Sequence, residues 1–443
     1  MTWNSLVTTL KPYCDQQLKV YLGNMIGTSC DEIADFTAAV FDPITGKPIC
    51  YRDASVTIPR PLQQALLFVS KAHNHPDTYL VSPTASSRPY QQLENQLTEF
   101  LLTAFTQVIA EMELLQLPKS QLVLSPHGVT MNHEPWADPP FSVQIVNGEQ
   151  LLQLGYDVVT SHRQQALAIS SAAPLAPVLI RECFYQPQHN TVVINGGGIA
   201  NLCTLPAGEP NHLVAWDIGP ANATLDALIQ FVMENYPNLI PNDLRTEILR
   251  HGYDVSGQWA ARGQVDQAIL QALLQHEYFS RPSQFKSADR ATFGCDWVFS
   301  HSSVHTIAWA DLLATVTECI AITIVTAIQQ SLTTGTTPVK ILFYGGIIHN
   351  NYLMQRIKLG LAQTQLNFQF ETLDQLGFNP DNFEALLMAY LGYCADQQQT
   401  VDLRYCKREN IQPELAKAIP GYIHRAQHKT DQKSMPLSKI IFR

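Results

Sequence analysis

Val20-Tyr21-Leu22-Gly23-Asn24-Met25 runs straight into Gly27-Thr28-Ser29-Cys30-Asp31. An apolar run of this length, closed by small polar residues, reads as a buried strand entering a tight turn. A second apolar run follows at 36–41, a turn at Asp42-Pro43 and Thr45-Gly46-Lys47, and a third strand near 49–56. The whole reads as a strand–turn–strand–turn–strand meander. The theme recurs about 170 residues on. Thr191-Val192-Val193-Ile194 enters Asn195-Gly196-Gly197-Gly198, a strand follows at 199–205, and a third at 212–216 ends at Asp217-Ile218-Gly219-Pro220-Ala221-Asn222 before a helix at 225–233. Between the meanders lie helices at 61–71 and 90–115. In the second of these, Leu93, Leu97, Phe100, Leu101, Ala104, Phe105 and Val108 recur at helical spacing. Strand 121–124 ends at Ser125-Pro126-His127-Gly128, and strand 339–344 ends at Gly345-Gly346 ahead of a helix at 352–361.

Glycines and small hydroxyl residues at strand ends let backbone N–H groups approach phosphate oxygens. Gly27, Thr28 and Ser29 suit a phosphate hairpin, with Asp31 placed to hold a metal-bound water or a substrate hydroxyl. Each such turn also closes ordinary hairpins, where glycine and Asx residues are needed with or without a ligand. Three of them in a duplicated α/β unit suggest the actin/hexokinase architecture. The paired histidines (His127 with His133, His73 with His75, His301 with His305) lack Cys or carboxylate partners that would complete a metal set, so no metal site is read from them.

Composition bounds the rest. With 443 residues, 46% hydrophobic and 15% charged, the chain is long enough for two well-filled domains. A net charge of −10 without a long basic run speaks against nucleic acid. The nine cysteines form no C-x-x-C pair and read as buried reduced thiols. Residues 1–11 lack a basic-then-apolar signal pattern, and the best apolar run, 319–328, is short of the roughly 20 residues a bilayer requires. The expected location is the cytoplasm, with no membrane partner.

Several stretches resemble the motifs of the anhydro-N-acetylmuramic acid kinase family. They are Met25-Ile26-Gly27-Thr28-Ser29-Cys30-Asp31-Glu32, the segment from His127-Gly128 to His133-Glu134-Pro135, Val143-Gln144-Ile145, and Ala173-Pro174-Leu175-Ala176-Pro177. Further on come Asn195-Gly196-Gly197-Gly198-Ile199-Ala200-Asn201-Leu202, Asp217 to Asn222, Lys286-Ser287-Ala288-Asp289-Arg290, Tyr344-Gly345-Gly346-Ile347 with Asn350, and Glu384-Ala385-Leu386-Leu387. Order and spacing hold from about 20 to 395.

The resemblance implies a duplicated actin/hexokinase-like (ribonuclease H-like) two-lobed α/β fold with ATP and sugar in the interdomain cleft. The expected lobes are 18–138 and 139–395, followed by a C-terminal extension, 396–443. It also implies ATP with Mg2+, an amino-sugar substrate and a homodimer. ATP would be held by Gly27, Thr28, Ser29, Asp217, Gly219, Asn222, Gly345 and Gly346, the sugar by His127, Asn195 and Glu384, with Asp31 in the catalytic group. In the implied reaction water opens the anhydro bridge at the anomeric carbon, and the freed primary hydroxyl takes the γ-phosphoryl group. A carboxylate must take the water's proton.

The family's D-F-R-R-R-D aligns with Ser161-His162-Arg163-Gln164-Gln165-Ala166, which puts Ala166 where the general base belongs. The glycine-rich loop after it becomes Ser170-Ser171-Ala172 and is one residue shorter. Ile26, Glu32, Asn147, Ile218, Ala221 and Ile347 are further departures, the last expected against the nucleoside. Such a chain is either an impaired kinase, with His162 or Asp157 (less readily Glu182) as substitute base, or a catalytically inactive paralogue that binds a sugar, a nucleotide or a partner.

Overall fold

A computed structural model describes residues 18–27, 33–72, 88–283, 286, 288, 292–300, 306–332, 337–407 and 410–427. The chain divides into two compact units, one reaching Cys183 and resuming at Asn382, the other spanning Phe184–Asp381. The cuts expected at 138/139 and 395/396 both fall within the first unit.

The first unit is built on strands β1 (Val20–Met25), β2 (Ile33–Phe41), β3 (Pro48–Thr57), β4 (Leu122–Pro126), β5 (Val129–Glu134), β6 (Phe141–Ile145) and β7 (Asp157–Thr160). Its main sheet has the order β7-β4-β1-β2-β3 and is completed beside β7 by Tyr422–His424. β1 pairs in parallel with β4, and β4 with β7; β1–β2 and β2–β3 are antiparallel. β5 and β6 form a separate two-stranded ribbon.

The second unit repeats the plan with β8 (Asn190–Gly196), β9 (Ile199–Leu205), β10 (Val214–Pro220), β11 (Val339–Tyr344) and β12 (Phe368–Thr372). Its order is β12-β11-β8-β9-β10, with β8–β11 and β11–β12 parallel and the meander β8-β9-β10 antiparallel. Position for position, β8 to β12 match β1, β2, β3, β4 and β7 in order and direction. The fold is thus a duplicated ribonuclease H-like α/β unit, as in actin-like kinases.

Apolar periodicity accounts for the cores. On helix Arg88–Glu111 the residues Leu93, Leu97, Leu101, Ala104, Phe105 and Val108 are buried against the first sheet, and the helix ends before the left-handed Glu113. Helix Phe383–Asp396 lies on β1 at backbone distance: a Cβ on Gly23 would fall 2.1 Å from the Ala385 carbonyl oxygen. Only glycine fits there, and this contact fixes Glu384 in the helix's first turn.

Three expectations need correction. The strand expected at 212–216 runs instead over Val214–Pro220, so Asp217 and Gly219 lie within it, at a register shift against β9. Within the segment after 395, expected as a C-terminal extension, Tyr422–His424 completes the first sheet beside β7 and Val401–Asp402 pairs with Lys417–Ala418. The apolar run at 319–328 belongs to a 23-residue helix, Trp309–Ser331, long and apolar enough by composition to cross a bilayer. Fourteen of its residues are buried in the second unit's core, and that burial explains its composition.

Candidate functional site

In both units the residues singled out from sequence collect at the carboxyl ends of the parallel strands, where open α/β sheets bind ligands. In the first unit, β1 leads to Ile26-Gly27, β4 to His127, and β7 to the segment from Ser161 to Ala166. Thr28, Ser29 and Asp31, like His73, His75, His301 and His305, lie outside the described residues.

His127 is fixed by the main chain. Its N–H donates to the Asn24 carbonyl (2.9 Å), and its Nδ1 stands 3.1 Å from the Gly128 oxygen. The ring is buried, and its Nε2 has no hydrogen-bond partner among the described residues. Burial, then the charges of Arg163 and His162, lowers its pKa to about 3. His133, on the ribbon, is lowered to about 4 by burial and Arg163, while the Ser171 backbone acts the other way.

The segment expected to carry the base is a tight loop. Ser161 and Ala172 at its two ends have left-handed backbone (φ 57° and 53°). Ala166 begins a short 3-10 turn and is 3% exposed. Its carbonyl accepts from the Ser170 N–H (2.9 Å) and hydroxyl (3.0 Å). The C-terminal segment ties the loop down: Ser171 N–H donates to the Cys406 carbonyl (2.9 Å) and Gln165 Nε2 to the Gly421 carbonyl (2.8 Å).

The side chains considered as substitute bases are engaged. His162 is buried between the Ser125 hydroxyl (3.4 Å) and the Pro420 carbonyl (3.3 Å). Asp157 accepts from Arg425 Nη1 (2.7 Å) and from the Ala426 N–H (2.9 Å). Glu182 is bonded by Arg181 at 2.7 Å. Arg163, which sequence reasoning passed over, donates only to the Ala172 carbonyl (2.6 Å). Burial depresses its pKa, while Tyr405, Glu384 and Cys406 favour its charge.

The second unit brings together Asn195, Asn222, Gly345 and Gly346. Gly345 has φ +76°, and a Cβ there would meet Asn195 Oδ1 at 2.5 Å and the Gly196 carbonyl at 3.2 Å. A Cβ on Gly346 would lie 3.2 Å from Asn222 Nδ2. Asn222 opens helix Asn222–Asn235, and its N–H donates to the Gly197 carbonyl (3.2 Å). Asn195, expected with the sugar residues, therefore stands beside Gly345. Asp217 accepts from the Ala288 N–H (3.0 Å) through Oδ2, and burial raises its pKa to about 6. Its carbonyl accepts from the Tyr278 hydroxyl (2.8 Å), and the Lys286 ammonium lies 5.9 Å from the Tyr278 ring centre.

Ile347 does not face outward. It is fully buried, and a Cβ on Gly196 would sit 2.3 Å from its own Cβ. Ile218 and Ala221 are likewise buried. These departures fill the core instead of covering the turns.

Glycine-lined turns at one end of each of two like sheets, joined by a helix N-terminus in the second, can cradle phosphates and sugar hydroxyls. Comparison with known proteins agrees. The family model described as "Anhydro-N-acetylmuramic acid kinase" matches residues 19–399. An anhydro-N-acetylmuramic acid kinase of Idiomarina loihiensis is 30% identical over 86% of this chain and 93% of its own length. One of Chromohalobacter salexigens is 32% identical over 85% and 92%, and one of Xylella fastidiosa 30% identical over 92% and 96%. The chain belongs to the anhydro-N-acetylmuramic acid kinase family.

Proposed function

We propose that this chain binds ATP and 1,6-anhydro-N-acetylmuramic acid, or a closely related anhydro sugar, and that its ring-opening phosphorylation is severely slowed. ATP is assigned to Gly27, Thr28, Ser29, Asp217, Gly219, Asn222, Gly345 and Gly346, and the sugar to His127 and Glu384. Asn195 joins the nucleotide group on account of its place beside Gly345. The turns suit a nucleotide in that Gly345 and Gly346, packed against Asn195, the Gly196 carbonyl and Asn222, keep side chains off the strand end. Magnesium commonly takes one or two carboxylates and phosphate oxygens in place of a protein cage, and Asp217 is the carboxylate of the second unit suited to that. Bound with ATP, the ion would neutralise charge on the phosphoryl oxygens.

Ala166 carries this reading. The step needs a proton acceptor for the attacking water, and a buried methyl group stands at the aligned position. Loss of a general base costs about 10²–10⁴-fold in rate. The engagement of His162, Asp157 and Glu182 favours a second reading, an inactive paralogue that binds sugar, nucleotide or a partner. The cytoplasmic location and the homodimer implied by the family belong to the same proposal.

Calorimetry with magnesium–ATP and the anhydro sugar, alongside an assay for phosphorylated sugar, tests it. Binding of both ligands with slow product formation is expected. Binding of neither would overturn it, and binding without any product would establish the second reading.

A further inference from the structure

The ribbon β5–β6 carries a polar face that the protein does not satisfy. Thr130 lies opposite Gln144 and His133 opposite Ser142, with a register shift between Thr130 and Asn132. In a regular strand, residues three apart point to opposite faces. The extra residue, Met131, brings Thr130 and His133 to the same one. Opposed residues share a face, so Thr130, His133, Ser142 and Gln144 form one polar surface. Val129, Met131 and Ile145 belong to the core.

Although the Ser171 backbone lies near enough to His133 to favour its charge, Thr130 Oγ1, Ser142 Oγ and both His133 ring nitrogens on that surface are sealed from solvent and lack a well-aligned hydrogen-bond partner among the described residues. The same holds for His127 Nε2 and Arg163 Nε. The ribbon lies beside His127, whose carbonyl accepts from Gln144 Nε2 (3.4 Å), and the Arg163 charge acts on both imidazoles. A sealed unpartnered polar atom costs about 1–3 kcal/mol, so one orphan is ordinary and six together mark a site suited to a polar ligand. Arg163 adds the sign. Among the described residues no ion pair involves it, the Glu384 charge acts on it from farther off, and one of its N–H groups is used, on Ala172. A guanidinium left in this state matches a carboxylate in shape and charge.

We propose that Arg163 is the residue that binds the substrate's carboxylate, while the polar face of the ribbon takes the ligand's hydroxyl and amide groups. This rests on the anhydro-sugar reading above. Muramic acid differs from glucosamine by a lactyl ether arm whose carboxylate is ionised at neutral pH. Arg163 thereby selects the acidic sugar over its neutral counterpart, and the neutral imidazoles of His127 and His133 can donate or accept beside it.

The test uses calorimetry on the full chain with 1,6-anhydro-N-acetylmuramic acid and with 1,6-anhydro-N-acetylglucosamine, which lacks the arm. The acidic sugar should bind about 10–100-fold tighter, the range of a hydrogen bond to a charged group. Arg163→Met should bring it to the affinity of the neutral sugar with ATP affinity unchanged. Equal affinities in the parent, or a preference that survives Arg163→Met, would overturn the assignment. If Arg163→Met does not fold, Arg163→Lys replaces it, and a preference left at full strength overturns the assignment. Should neither sugar bind, the anhydro-sugar reading fails, and D-lactate then tests Arg163 alone. Shifts of the His127 and His133 ring resonances at millimolar D-lactate, absent in the Arg163 variant, support the site; no shifts overturn it.

Discussion

The two units share a strand plan, yet they have absorbed sequence change in opposite ways. In the second, the departures from the family pattern turn inward: Ile347, Ile218 and Ala221 are buried, and Gly345, Gly346, Asn195 and Asn222 remain grouped at the strand ends. In the first, Ile26 is likewise buried, but further changes fall in the loop aligned with the family's general base. There Ala166 is buried at the position expected to carry the base, and Ala172 holds a left-handed backbone. A substitution that fills a core leaves a turn's chemistry intact; one that removes a proton acceptor does not. Where a changed residue points decides more than how different it is.

The contrast can be broken in several ways. The largest effect is expected from Gly345→Val, whose side chain would meet Asn195 Oδ1 at 2.5 Å from a left-handed backbone. ATP affinity should fall by about 100-fold or more, equivalent to about 2.7 kcal/mol, with sugar affinity retained in calorimetry. Undiminished ATP binding would remove the nucleotide from these turns.

Ile347→Gly separates the inward from the outward reading. Restoring the family's glycine should leave a cavity and cost about 3 kcal/mol in denaturant unfolding, with no gain for ATP. Tighter ATP binding without loss of stability would show that Ile347 obstructs the nucleoside.

The units should also respond oppositely to pH. Burial holds His127 at about 3 and His133 and His162 at about 4, whereas an unfolded imidazole titrates near ~6.5. Below that pH the unfolded chain binds protons that the fold refuses, so stability falls as pH drops from ~6.5 toward ~4. Asp217, raised to about 6 by burial, works the other way. Its favourable contribution is complete at low pH and is lost as pH rises from ~4 through about 6. His162→Phe should therefore gain on the parent as pH falls below ~6.5, and Asp217→Asn should gain above ~6. Melts across pH 4–7.5 that show parallel curves would refute both.

The fold was mostly legible. Two meanders with matching turns announce a duplication, and the apolar spacing of Leu93 to Val108 gives the helix that covers the first sheet. The unit boundaries were not, because β7 and Tyr422–His424, which complete the first sheet, are strands of four and three residues with weak patterns of their own. The glycine turns could be read from residue type. The direction of Ile347 could not, since an isoleucine beside a turn looks the same whether it faces core or ligand. Arg163 was overlooked because an arginine gains significance only once it is seen to have no ion pair among the described residues. The shared face of Thr130 and His133 depends on a bulge that no spacing rule announces.

A smaller effect concerns the eroded loop. Ala172 pays about 1–2 kcal/mol for its left-handed backbone, partly offset by the greater freedom glycine has when unfolded. Ala172→Gly should raise stability by about 0.5–1 kcal/mol in denaturant unfolding; a loss would mean that the methyl group packs better than the strain suggests.

The most direct measurement is a side-by-side assay of phosphorylated-sugar formation by this chain, its Ala166→Asp variant and the Idiomarina loihiensis kinase, all at saturating magnesium–ATP and anhydro sugar. This chain should run about 10²–10⁴-fold below the relative, with Ala166→Asp recovering part of the deficit. A rate equal to the relative's, left unchanged by the new carboxylate, would contradict the account.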